Sequence, residues 1–383
     1  MVSPRFDSTY AATKTLCVTA ILLAVTFCHP PAVCADDLSF TFVNVADSTG
    51  GFSAFGDFPA MNNSGAVAFV AIQAGVGQGV FRATRGTVTP IATVLNGMSQ
   101  FGDDVAMNFH GVVAFDATLP SGARAIFTGD GTATKTIANS LDAGLLRIGI
   151  GPPSINASGT VAFNSTLAAP GFPVSIFTGN GGPLTTVAAT SKTGFQSFGA
   201  AAINDSGTIV FHGFPADGSE GVFVGPNATD VADTNNPAFS QFGDPVINRR
   251  GTVADFVSLT GGGIVVFTSD GRRFTPRTDP LHPQFVNSEH PSINSLGAVA
   301  FSAQPVSGGL GIFVEVTGGD SPTRVLQTGD PLFGSTVTSV SVGRFAFNDR
   351  FQVVFEYTLK DGRSGVAVGA LRGEAEEDGG GDR

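Results

Sequence analysis

The 383-residue chain has no tryptophan, two tyrosines and three cysteines, and only 13% of its residues are charged. Lysine occurs four times, at positions 14, 135, 192 and 360. All three cysteines, Cys17, Cys28 and Cys34, fall within the first 35 residues. The remaining chain therefore has no thiol, which excludes a disulfide framework, thiolate catalysis and cysteine-ligated metal. Beyond residue 35 there are 18 basic and 30 acidic residues, a net charge of −12 that repels phosphate backbones and excludes nucleic acid as a partner. With no tryptophan and only Tyr10 and Tyr357, a platform for stacking sugars would have to be phenylalanine. No apolar run after residue 35 is long enough to cross a bilayer, so the mature chain is expected to lack a transmembrane segment. Low charge does not mean disorder here, because 42% of the residues are hydrophobic.

The first 35 residues differ from the rest. Arg5 and Lys14 precede the apolar stretch LCVTAILLAVTFC, and HPPAVCADD follows. The pattern predicts a secretory signal over 1–35, with cleavage after Ala35 because Val33 and Ala35 place small residues before the bond. Lipoprotein processing at Cys34 is the alternative, for which Val33 is a poor fit. The protein is therefore expected to be exported: secreted, periplasmic or associated with the cell surface. Residues 371–383, rich in Gly and Glu, read as an acidic flexible tail.

Between these segments the chain repeats itself. Aligned on asparagine, copies begin at Asn62, Asn108, Asn156, Asn204, Asn248, Asn294 and Asn348, with intervals of 46, 48, 48, 44, 46 and 54 residues. Six copies place a glycine three residues later: Gly65, Gly111, Gly159, Gly207, Gly251 and Gly297. An asparagine at the first turn position can accept a hydrogen bond from the N–H two residues on, and a glycine three places along tolerates positive φ, so each pair predicts a tight hairpin turn. The seventh copy has Phe351 in place of glycine, so that turn is expected to differ.

After each turn comes a Val- and Phe-rich strand such as AVAFVA, VVAFDA or TVAFNS. Val67 and Phe69 point to one face and Ala68 to the other, which suits sheets stacked with the bulky face of one on the small face of the next. The fifth copy carries Asp255 where the others carry Phe, and a bulge or a displaced strand is expected there. About 46 residues and four strands per repeat predict an all-β seven-bladed propeller over residues 36–370, four antiparallel strands to a blade. The last repeat lacks a fourth strand and the N-terminus has one to spare, LSFTFVNVA at 38–46. The N-terminal strand is therefore predicted to pair into the last blade and close the ring, and the protein is expected to be monomeric.

The segments NNSGAVAF, NFHGVVAF, NASGTVAF, NDSGTIVF and NSLGAVAF resemble the bacterial exported tandem-repeat proteins named for an NxxGxxAF motif. The resemblance covers about residues 38–370. It implies a propeller-like exported protein, often anchored at the cell surface, and supplies no activity or catalytic residues to carry over.

The most suggestive polar residues lie on the approach to each inner strand. FGDFPAMN, FGDDVAMN and FGDPVIN present Asp57, Asp103, Asp104 and Asp244, SEHPSIN presents Glu289 and His290, and SVGRFAFN presents Arg344. Ringing the mouth of a central channel, they would form an acidic vestibule for hydroxyl-rich saccharides or for calcium, the one cofactor that the pattern suggests. Alternatively, each Asp accepts backbone hydrogen bonds in the turn before its strand. No HExxH, GxSxG or EF-hand pattern is present, and His212 reads as a packed strand residue. Two functions follow from the sequence: a non-catalytic binding or surface-scaffold module for an extracellular protein or polysaccharide, or a secreted hydrolase or lyase acting on polysaccharide. The inner-strand residues Ala60, Met61, Ala106, Met107, Ala202 and Ile203 favour the first.

Overall fold

The computed structural model describes residues 39–142, 144–149, 151–316 and 321–372. The segment read as a signal and nearly all of the acidic tail lie outside these residues. The described chain forms seven antiparallel sheets arranged as a β-propeller of four-stranded blades, six of them built from chain-consecutive segments. Blade 1 runs outwards from Phe52–Phe55 and Ala60–Met61, which share the inner position, through Val67–Gln73 and Gly77–Thr84 to Thr87–Thr93. Blades 2 to 6 follow at 100–139, 145–189, 195–233, 239–276 and 285–327. Blade 7 takes three strands from 335–371 and its outermost from the N-terminus: Phe40–Asp47 pairs antiparallel with Ser364–Leu371, from Phe40 opposite Leu371 to Asp47 opposite Gly365. Tyr357 also donates its hydroxyl to Asn44 at 3.2 Å across this closure.

Between blades the packing follows the alternation of side-chain size. In blade 3, Val161, Phe163 and Phe177 face Ala106, Ala114, Ile126 and Ile137 of blade 2. On the other face of the same strands, Ala162 and Ile176 receive Phe198, Phe211 and Phe223 of blade 4. Inside a blade the second and third strands place two phenylalanines opposite each other. Phe69/Phe81, Phe115/Phe127, Phe163/Phe177, Phe211/Phe223 and Phe301/Phe313 stack with centroids 5.7–6.0 Å apart. Such a pair contributes about 0.5–1.5 kcal/mol beyond its buried area.

The repeat asparagines do more than shape turns. Each is 6% exposed or less. In all seven, Oδ1 accepts the backbone N–H four residues on, at 2.9–3.1 Å. Each Nδ2 donates to the backbone carbonyl of the repeat asparagine in the next blade, at 2.9–3.3 Å, from Asn62 to Asn108 and onwards to Asn348, which donates back to Asn62. The seven bonds form a closed ring around one end of the channel. The six turn glycines sit at φ between 80° and 92°.

Two sequence expectations are corrected here. The turn of blade 7 does not differ: Phe351 itself adopts φ 56°, donates its N–H to Asn348 at 3.1 Å, and leaves the pattern of the other six intact. Its ring packs on Phe347, centroids 5.9 Å apart, which helps to offset a backbone conformation that phenylalanine disfavours. Nor is there a bulge at Asp255, because Val253–Leu259 pairs with Ile264–Ser269 without a register shift and sets Asp255 opposite Phe267. Asp255 simply occupies the phenylalanine position, fully buried, and Phe267 stacks on Phe274 instead, at 4.4 Å.

Candidate functional site at the propeller axis

The motif FGD has a steric origin. Its phenylalanine, as in Phe101 and Phe242, enters the core, and its glycine lets the inner strand bulge against the second strand. A Cβ on Gly102 would lie 2.1 Å from Asp116 Oδ1, and one on Gly243 would lie 2.3 Å from the Phe256 ring. The bulge turns the following residues towards the axis.

Blade 7 fills that axis. After Ser335–Ser341 its chain leaves the sheet, and Phe345 packs against core clusters drawn from blades 1 and 2, 2 and 3, and 5 and 6. The Phe345 carbonyl accepts the Met61 N–H at 2.8 Å, and Ser292 Oγ accepts the N–H groups of Ala346 and Phe347 at 3.0 Å each. Arg344 is 3% exposed, lies 5.6 Å from the centroid of the Phe345 ring, and donates Nη2 to the carbonyl of Pro245 in blade 5. Its Nε and Nη1 are buried with no hydrogen-bond partner among the described residues.

Carboxylates surround this guanidinium. Asp244, Asp104 and Asp255 hold the Arg344 charge against burial, which pulls its pKa down. Burial pushes Asp104 up to about 7, with Arg344 opposing and Asp116, Asp103 and Asp244 reinforcing. Burial likewise raises Asp255 well above the usual carboxylate range, although its Oδ1 accepts the Phe256 N–H at 2.7 Å. Asp244 accepts the Ala200 N–H at 3.2 Å. His212, 8% exposed, lies beside Asp244 and 4.0 Å from Glu220, and burial lowers its pKa.

The sequence-derived residues thus divide. Asp104, Asp244 and Arg344 converge on the axis. Asp57 and Asp103 are exposed neighbours, and Asp103 is raised by burial and then by the charge of Asp57. Glu289 lies opposite Ser302 within Phe285–Ile293. His290 takes φ 40° and sets its ring edge-on to Phe58 at 4.8 Å. Among the described residues, no group of three or more His, Cys, Asp or Glu is placed to hold a metal ion.

Asp116 and Glu356 did not emerge from the sequence, and Asp255 emerged only as an irregularity of its strand. Asp116 pairs with Arg124, and burial followed by the charge of Asp57 raises Glu356 to about 7. Their signal was a polar residue in an otherwise apolar second strand. The residue after the core phenylalanine is Asp116, Asn164, His212, Ser302 and Glu356 in five blades, and Asn164 donates Nδ2 from there to the Gly199 carbonyl of the next blade at 2.9 Å. At the opposite end of the channel the asparagine ring frames a shallow, mostly polar depression of about 170 Å³, whose lining includes Asp205, Arg249 and Asp349 beside Met61, Met107 and Phe347.

Fold and axis together define a closed seven-bladed β-propeller whose channel is filled by its own last blade. The chain belongs to DUF7453, a family of unknown function, whose model matches residues 61–282. No curated protein matches the sequence. Among solved structures, the chain is similar to an oligogalacturonate lyase from Vibrio parahaemolyticus, with 11% identity, a TM-score of 0.56, and coverage of 87% of this chain and 98% of that one. An oligogalacturonate lyase in complex with manganese gives 11% identity and a TM-score of 0.55, covering 88% and 96%. A prolyl endopeptidase gives 12% and 0.52, covering 86% of this chain and 51% of its own. At these identities the likeness concerns the fold alone. No helix among the described residues is long and apolar enough to cross a membrane.

Proposed function

We propose that the protein is an exported, non-catalytic binding or cell-surface scaffold module, akin to the NxxGxxAF-repeat proteins, that engages an extracellular polysaccharide or protein through its outer surface. The observation carrying this reading is the filled axis. A channel enzyme needs a void where substrate meets converging polar groups, and that space is taken by Phe345 and the buried Arg344. The apolar segment ahead of residue 35 supports export. Ring closure by Phe40–Asp47 pairs a sheet edge that would otherwise invite association, which supports a monomer. Calcium shared by Asp57 and Asp103 would belong to the same reading, and a calcium titration followed by Tm tests it.

A second reading rests on Asp104. A carboxyl titrating at about 7 beside an arginine has the pKa of a general base, as a polysaccharide hydrolase or lyase would use. The deciding experiment titrates the purified protein with soluble polysaccharides and records binding and product formation together. Saturable binding without turnover is expected. Turnover that disappears in Asp104→Asn would replace the module by the enzyme.

A further inference from the structure

A surface cavity lies away from the axis, at the seam between blades 7 and 1, on the face of the asparagine turns. It has a volume of about 350 Å³ and is lined by Ser64, Thr84, Arg85, Arg350 and Gln352 with the backbone of Gly65 and Ala66. Two guanidiniums thus share one cavity with no carboxylate among its lining residues, on a chain with a marked excess of acid.

The two arginines are placed differently. Arg350 is fixed: its Nη2 donates to the Asn63 carbonyl at 2.7 Å and its N–H to Asn348 Oδ1 at 3.0 Å. Arg85 makes no ion pair among the described residues, and its backbone is strained. Thr84 pairs with Thr87, so Arg85 and Gly86 alone form the turn, at φ 51° and 80°. Both positions of such a turn favour Gly, Asn or Asp. The corresponding hairpins of blades 2, 3 and 5 have longer loops, in which Asp130, Asn180 and Asp270 precede the glycine without taking positive φ. Blade 1 instead holds an arginine in the left-handed region and points to a use for the side chain.

We infer that this seam is a binding site for the carboxylate of an acidic saccharide, a uronate unit, held between Arg85 and Arg350. The inference rests on the module reading above and names its ligand class. Paired guanidiniums suit a planar oxyanion, which they can meet with parallel N–H···O bonds. The cavity is larger than a bare inorganic anion needs, so the anion arrives on a larger group. Apart from Ala66 the lining side chains end in hydroxyl, amide or guanidinium groups, which pair with sugar hydroxyls.

The test is calorimetric titration of the purified protein at low salt with tetragalacturonate, its methyl ester and inorganic phosphate, with product formation followed in parallel. Saturable binding of the free acid is expected, at least tenfold weaker for the ester and for phosphate. Arg85→Gln should raise Kd about tenfold with Tm unchanged, because the side chain makes no hydrogen bond or ion pair among the described residues, and Arg85→Lys should recover part of the loss. Equal affinity for acid and ester, equal affinity for phosphate, no binding of the acid, or binding indifferent to Arg85→Gln would each overturn the site. Absence of uronate binding would leave the module reading standing, whereas turnover of the saccharide would remove that reading and leave the site to the Arg85 variants.

Discussion

Raising the pH should weaken this propeller, and Asp104 carries the clearest share. Its carboxyl titrates at about 7 in the folded protein, against about 3.9 in an unfolded chain. Between these values the folded state keeps a proton that the unfolded state has released. The stabilisation is therefore complete below about pH 4 and is lost as the pH rises through 7. Three pKa units amount to about 4 kcal/mol for a sealed site, and the partial solvent access of Asp104 reduces this to about 2 kcal/mol. For a chain of this length that is about 3 °C in Tm. Asp104→Asn keeps the shape of the side chain and cannot ionise. Thermal unfolding of both proteins, followed by circular dichroism from pH 4.5 to pH 8, should give matching Tm values at the acid end and a variant more stable by about 2 kcal/mol at the alkaline end. Glu356 and Glu315, also raised to about 7, leave a residual slope in both proteins, so the informative quantity is the difference between the curves. Curves that run parallel would refute a buried, protonated Asp104.

Asn156→Ala removes the acceptor for the Thr160 N–H and the donor to the Asn204 carbonyl, and should cost about 2–3 kcal/mol in urea unfolding; Asn156→Asp, which keeps only the acceptor, should fall between the variant and the wild type. Gly102→Ala drives a methyl into Asp116 and should cost about 1–3 kcal/mol, while the same change at Gly56, where the nearest atoms are 3.1 Å away, should be milder. Deleting residues up to Asp47 exposes Ser364–Leu371 as an edge, and size-exclusion chromatography should show the shortened chain eluting as larger species than the intact chain.

The propeller was legible because its signals are local and recur. Asparagine and glycine three apart, then a Val-Phe strand, report one turn and one strand at each copy, and counting strands at the two ends reveals the closure. The failures share a cause. Phe351 was judged by the preference of an isolated residue, yet the seven-membered ring and the Phe347 contact impose the same turn on it. Asp255 was read as a disturbance of its strand, whereas pairing with Ile264–Ser269 held the register and the cost was taken by the side chain, which must be protonated or paired. The contact of Arg344 is of another kind: after Ser341 the chain leaves its sheet, and the Arg344 side chain reaches the Pro245 carbonyl in blade 5. Such contacts join residues about a hundred positions apart, and no periodicity carries them.

The direction of the asparagine ring has an electrical consequence. Every side-chain amide donates the same way round, so the seven bonds circulate tangentially, like current in a loop, and have no beginning or end. An α-helix stacks its dipoles in one line and ends with partial charges that attract ions. A closed circle of dipoles sums to zero. Seven buried amides therefore tie the blades together without charging the mouth they encircle, and the electrostatic character of that face is left to side chains such as Arg85 and Arg350, which stand outside the circle.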